Sequence, residues 1–201
     1  NISFTTACKK KISHKLKKII IIILIIFHQN ILFSKNMILD DLNNINFNKK
    51  KQEWKFISDQ VMGGISSGEF KIELIENIKC YRMTGEVSTK NNGGFIQIRT
   101  NLKPEVESKK YEGMYFKVYG NNNKYSLHLR SDLTFAPWQY YGYSFFAPNK
   151  WMKIKAPLKD FKKSNFYQPK NIRGQNIKSV GLVAGFDNFR SDICLSEIGF
   201  Y

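Results

Sequence analysis

W-K-F-I-S-D-Q-V-M-G-G-I-S-S-G-E-F (Trp54–Phe70) and T-G-E-V-S-T-K-N-N-G-G-F-I-Q-I-R (Thr84–Arg99) are the two stretches on which the fold turns. Each holds a Gly-Gly pair beside an Asp or Asn and leads into apolar residues. Glycine enters positive φ without steric cost, and Asp and Asn bond to nearby backbone, so each cluster specifies a turn rather than a slack loop. Asp59, Gly63 and Gly64 mark the first turn, and Asn92, Gly93 and Gly94 the second. Gly64 and Gly94 are expected in conformations that a side chain would strain. Asp59 either caps its turn by accepting backbone N–H groups or pairs with a nearby Arg such as Arg99.

Outward from these turns the apolar residues recur at every second position. Phe70, Ile72 and Leu74 alternate with Lys71 and Glu73, and Met114, Phe116 and Val118 with Tyr115, Lys117 and Tyr119. Tyr125, Leu127 and Leu129 follow the same rule, as do Met152, Ile154 and Ala156. Turn residues separate the runs at Asn91–Gly94, Gly120–Asn123, Ala147–Asn149 and Asn171–Gly174. Seven to nine short strands with this spacing predict an all-β antiparallel sandwich or barrel. The best helical candidate is one or two turns near Leu158–Lys163.

The order of these residues resembles the family of complex I intermediate-associated proteins. D-x-V-M-G-G-x-S followed by N-x-G-G-F…R carries the likeness, together with Y-Y-G-Y-S-F (Tyr140–Phe145) and W-M-K-I-K-A-P-L-K-D-F (Trp151–Phe161). S-V-G-L-V-A-G-F (Ser179–Phe186) and the closing run Ile193–Tyr201 extend it to the end of the chain. The resemblance implies a galactose-binding-like, jelly-roll-like β-sandwich. It also implies a part in assembling NADH:ubiquinone oxidoreductase, with assembly intermediates or membrane-arm subunits as partners.

The flanking sequence divides the chain into three segments. Lys9–Lys11, Lys15, Lys17 and Lys18 precede nine apolar residues, Ile19–Phe27, and a small residue follows at Ser34. A basic start, a short apolar run and a small residue at a cleavage point match an export signal, so residues 1–34 are expected to be a signal peptide or signal anchor. A translation-start artefact and an organellar presequence are the other readings. Residues 35–52, polar and rich in Lys, are expected to be a linker, and 53–201 the sandwich domain. The protein is accordingly expected to be exported, periplasmic or anchored in a membrane, or on the cytoplasmic side of the membrane if translation starts near Met37. Of the three cysteines, Cys80 and Cys194 lie within the domain. A disulfide between them and one buried thiol each are both compatible with the spacing.

The net charge is +16, yet no basic helix, finger or RNP-like strand concentrates it, so nucleic acid is not an expected partner. Enzymatic chemistry finds little material. Two of the three histidines, His14 and His28, fall in the export segment, and only His128 belongs to the domain. There is no G-x-G-x-x-G loop or C-x-x-C pair, so no catalytic residue, cofactor or metal ligand is assigned. Asp59, Glu69, Glu86, Asp132, Asp160 and Asp187 are scattered, with nothing to single out a catalytic pair.

Binding residues are easier to find. If Ile96 and Ile98 face the core, Gln97 and Arg99 project to the other side of their strand. By the same alternation His128 and Arg130 project away from Leu127 and Leu129. Trp138, Gln139, Tyr140 and Tyr141 add amide and aromatic groups in or beside a loop. Gln97, Arg99, His128, Arg130, Trp138 and Tyr140 are therefore expected to form a polar-aromatic groove. Arg offers bidentate hydrogen bonds, and Trp and Tyr offer stiff contact area with a polar edge. Such a groove suits a peptide segment or a glycan. A non-catalytic assembly factor is the leading reading and an exported carbohydrate-binding module the alternative. Association with a membrane would come through the N-terminal segment.

Overall fold

The computed structural model describes residues 36–44 and 52–201, apart from the side chain of Asn92. The signal or anchor expected over residues 1–34 lies outside the described residues. No helix among the described residues is long and apolar enough to cross a membrane.

The described residues form twelve strands in two antiparallel six-stranded sheets. The first sheet contains β1 (Met37–Asp41), β3 (Ser67–Ile75), β4 (Ile78–Val87), β6 (Gly113–Tyr119), β9 (Met152–Pro157) and β12 (Phe189–Phe200). Its order is β3-β4-β12-β6-β9, with β1 paired to β12 as well. The second sheet contains β2 (Trp54–Ser58), β5 (Phe95–Glu107), β7 (Asn123–Ser131), β8 (Tyr141–Ala147), β10 (Lys162–Lys163) and β11 (Asn176–Gly185). Its order is β10-β8-β7-β11-β5-β2. The strand count exceeds the expected seven to nine because β1, β2 and β10, of two to five residues, are too short to show a periodic pattern. The turn expected to be helical is a single 3-10 turn at Leu158–Asp160, and it leads directly into β10.

Alternation decides what lies between the sheets. Met83, Phe116, Ile193 and Leu195 from the first sheet and Ile96, Ile98, Leu127, Leu129 and Leu182 from the second are all buried in one core cluster. Phe116 meets Phe145 edge-on across the two layers, at 4.8 Å between ring centres. Each such side chain stabilises the fold by about 1.5–3 kcal/mol relative to leaving it in water. Edge strand β3 outruns this core, so Ile72 and Leu74 stand exposed despite their alternation.

The linker expected over 35–52 is corrected in part. Residues 37–41 form β1, paired to the second half of β12 from Met37↔Phe200 to Asp41↔Glu197. Leu39 and Leu42 are buried, and the buried carboxylate of Asp40 accepts from Trp54 Nε1–H at 2.8 Å and the Tyr81 hydroxyl at 2.9 Å. The apolar signal of Met37–Leu39 is only three residues long, and the flanking Asn, Asp and Lys obscure it in the sequence. Cys80 on β4 and Cys194 on β12 are joined by a disulfide, which resolves the open alternative of two free thiols.

The two glycine turns meet. Asp59, fully buried at the head of a 3-10 turn (Asp59–Met62), accepts from Ser66 N–H at 2.9 Å and Ser66 Oγ–H at 2.5 Å. It also accepts from Gly94 N–H at 2.5 Å and Phe95 N–H at 3.2 Å. Arg99 is not its partner. Gly94 has φ +132°, as expected of a residue that excludes a side chain. Gly64 differs: its φ is ordinary, and a Cβ there would run into the Asp59 carboxyl group, as would one on Gly93. The strained φ in the first turn belongs instead to Gly63, at +89°. Both Gly-Gly pairs thus pack around one buried carboxylate.

Candidate functional site

The outer face of the second sheet carries the site. Period-two alternation places Gln97 and Arg99 on β5, Ser179, Gly181 and Val183 on β11, and His128 and Arg130 on β7 along one surface. In register, Arg99 lies opposite Gly181, Gly181 opposite His128, and His128 opposite Gly142 of β8. Two of these four positions lack side chains, which lowers the floor. A Cβ on Gly181 would come within 3.0 Å of Gln97 Oε1, and one on Gly142 within 3.2 Å of the Tyr140 ring. The absent side chains therefore leave room for Gln97 to lie across β11 and for Tyr140 to stack on His128.

Three loops wall this floor into a groove of about 570 Å³. The turn after β2 brings Val61 and Met62, the segment between β7 and β8 brings Pro137 and Trp138, and the turn after β11 brings Phe186. Bonding to the frame holds each wall. Asp59 anchors the first turn through Ser66 and Gly94, and Gly94 O accepts from Phe186 N–H at 2.8 Å. Arg130 Nη2–H donates to Ala136 O at 2.9 Å, and Ser164 Oγ–H donates to Trp138 O at 2.9 Å. Gln139 Oε1 accepts from Phe135 N–H and Ala136 N–H.

All six side chains expected at the site, Gln97, Arg99, His128, Arg130, Trp138 and Tyr140, line this one groove. Tyr141 does not. It is fully buried on the core side of β8, and its hydroxyl donates to Pro169 O at 2.8 Å. Gln139 has its side-chain oxygen engaged by its own loop. Sequence reasoning missed the apolar walls at Val61, Met62 and Phe186. The available cue was two apolar residues inside a glycine-defined turn, where burial is not expected.

The electrostatics of the groove are one-sided. Arg130 is held below its usual pKa, first by burial and then by the charge of Arg99, so the two guanidinium groups face the same space. Among the described residues no carboxylate pairs with either of them, and Arg130 Nε is buried without a partner. His128 stacks on Tyr140 at 3.7 Å with planes 9° apart, and its Nε2 is likewise buried and unpartnered. Burial pushes the imidazole pKa from 6.5 down to about 3, so His128 is neutral at physiological pH. No group of three or more His, Cys, Asp or Glu among the described residues is placed to hold a metal ion.

The depressed pKa of His128 ties stability to pH with a definite sign. The contribution is complete above about pH 6.5 and is lost as pH falls toward about 3, because only the unfolded chain takes up the proton. His128→Gln is expected to flatten the fall in stability between pH 7 and pH 5, a slope of up to about 1.4 kcal/mol per pH unit. Denaturant melts at each pH measure it, and equal slopes for parent and variant would contradict the burial of a neutral ring.

Comparison with known proteins gives one family and one fold. The family described as Complex I intermediate-associated protein 30 matches residues 44–196. No curated protein sequence matches the chain significantly. Among solved structures, the chain is similar to the family 11 carbohydrate-binding module of cellulosomal cellulase Lic26A-Cel5E of Clostridium thermocellum. The TM-score is 0.62 and identity 18%, over 83% of this chain and 94% of that one. The family 11 module of that organism in complex with a β-1,3-1,4-mixed-linked tetrasaccharide gives 0.60 and 17%, over 82% and 94%. An agarase, AgWH50C, gives 0.54 and 11%, over 83% of this chain and 24% of that enzyme. At these identities the likeness establishes the antiparallel β-sandwich fold and nothing about ligand.

Proposed function

The chain belongs to the complex I intermediate-associated protein 30 family, and from that premise we propose that it is a non-catalytic assembly factor for respiratory complex I. The family match over residues 44–196 carries this reading. The groove supplies its mechanism. An assembly intermediate exposes segments that later subunits cover. A concave face with fixed polar groups and apolar walls holds such a segment until the permanent neighbour displaces it. Preformed walls keep the ordering cost on the protein's side low.

The Cys80–Cys194 disulfide supports an oxidising compartment, in line with export through the segment before residue 35. In that compartment the partner surface is the face of the membrane arm opposite the NADH-oxidising arm.

A second reading, an exported glycan-binding module, draws on Trp138 and Tyr140, which both line the groove, Trp138 with its ring exposed for stacking on a sugar. Deleting the gene in its native host separates the two. The expected result is less assembled complex I on blue-native gels stained for NADH oxidation, with subunit transcripts unchanged. Full complex I levels during obligate respiration, with Trp138-dependent binding on a glycan array, would put the second reading in front.

A further inference from the structure

The groove carries a specification for its occupant in the groups it leaves unsatisfied. Arg99 lies opposite Gly181 and Arg130 opposite Ser179 of the intervening β11, so their backbones stand about 12 Å apart, two strand spacings across and two residues along. Their side chains turn into the same cavity. Neither is neutralised by a carboxylate among the described residues. Two partly buried cations sharing one space are unfavourable until an anion joins them, and the planar guanidinium accepts a carboxylate in bidentate fashion. Around this pair the walls are apolar and stand in water: Val61 is 76% exposed, Met62 59%, Trp138 63% and Phe186 65%. An exposed apolar rim around a charged floor marks a surface that a macromolecule covers.

We propose that the groove binds an extended peptide segment bearing an Asp or Glu side chain, whose carboxylate seats between Arg99 and Arg130 while apolar neighbours cover Trp138 and the Val61–Met62 turn. The proposal rests on the partner-holding role given above and adds the chemistry of what is held. Charge and shape both favour this occupant. A neutral sugar leaves both guanidinium groups unpaired on becoming covered. An acidic sugar would pair with them but places hydroxyl groups against the aliphatic and thioether side chains of Val61 and Met62. A peptide with alternating side chains satisfies both. The groove runs from Ile57 on β2 to Tyr140 beside β8. Crossing five strands spans about 19 Å, the length of roughly six extended residues. His128, held neutral, adds no third positive charge to this space.

Fluorescein-labelled hexapeptide pools test this on the full chain by anisotropy at physiological salt. The pools are blocked at both ends, carry Leu and Phe around one fixed central residue, and differ only in whether it is Glu, Gln or Lys. The Glu pool is expected to bind at least about tenfold more tightly than the Gln pool, and the Lys pool not measurably. Arg99→Gln, which removes a side chain with no carboxylate partner of its own, should erase most of the Glu preference without moving the melting temperature. Arg99→Gln with Arg130→Gln should erase the rest. Arg173→Gln, outside the groove and paired with Glu112, should leave the preference intact. Equal binding of the Glu and Gln pools would overturn the proposal, as would a Glu preference that survives in the double variant. Binding of a uronic-acid hexasaccharide but of no peptide pool would also overturn it, by naming another class of ligand. If Glu peptides bind as expected while gene deletion leaves complex I intact, the ligand chemistry stands and the assembly role falls.

Discussion

Asp59→Ala is expected to destabilise the sandwich by about 3–5 kcal/mol, enough to lower the melting temperature by roughly 10 °C or more. The buried carboxylate takes hydrogen bonds from three backbone N–H groups and one hydroxyl. Removing it leaves these donors buried without acceptors, along with a void among Gly64, Gly93 and Gly94. Ser66→Ala, which removes one of the four donors, should cost only about 1–2 kcal/mol. Asp59→Asn should fall between, because its amide N–H₂ would face donors rather than acceptors. The loss should also loosen the Val61–Met62 wall, so peptide affinity should drop in any Asp59 variant that still folds. The carboxylate adds a pH signature. Burial alone would raise its pKa, but the Ser66 hydroxyl and the N–H groups of Gly94, Phe95 and Ser66 together hold it below the usual 3.8. Its contribution is therefore complete above about pH 4 and is lost as pH falls below that value, a window distinct from that of His128. An Asp59→Ala variant melting within 2 °C of the parent would refute the account.

Removal of the Cys80–Cys194 disulfide ranks with it. The bond spans 114 residues of sequence, and in the chain-entropy description closing a loop of that size disfavours the unfolded state by about 4–5 kcal/mol. Cys80→Ala with Cys194→Ala should accordingly melt about 10 °C or more below the oxidised parent. Both sulfur-bearing residues are fully buried between paired strands of the first sheet. Reductant should thus act on the native protein slowly and on the partly denatured protein fast. Melts of parent, reduced parent and double variant decide the matter. Superimposable curves would show that the strand pairing alone carries this part of the fold.

Much of the site could be read from the chain because side-chain direction in a strand is a local property. The pleat sends neighbours to opposite faces, so Ile96 and Ile98 inside require Gln97 and Arg99 outside, and Leu127 and Leu129 likewise require His128 and Arg130 outside. Tyr141 escaped this reasoning because it sits at a loop–strand junction, where the phase of the alternation is set by the strand it joins. The Val61–Met62 wall escaped for a different reason. A turn pattern says where the backbone bends, and only the packing around Asp59 says which way the turn leans.

The sequence by itself determined the strand periodicity, the places of the turns, the all-β class and the outward direction of Gln97, Arg99, His128 and Arg130. These follow from steric rules acting over two to four neighbouring residues. The tertiary structure alone decided that β5, β11, β7 and β8 lie side by side, which turns four separate outward faces into one groove. It alone joined Cys80 to Cys194, brought residues 37–41 into the first sheet, and closed both glycine turns on one carboxylate. Each of these joins residues far apart in the chain. Their contact depends on which strands share an edge once the common core is buried, and short-range pattern carries no information about that choice.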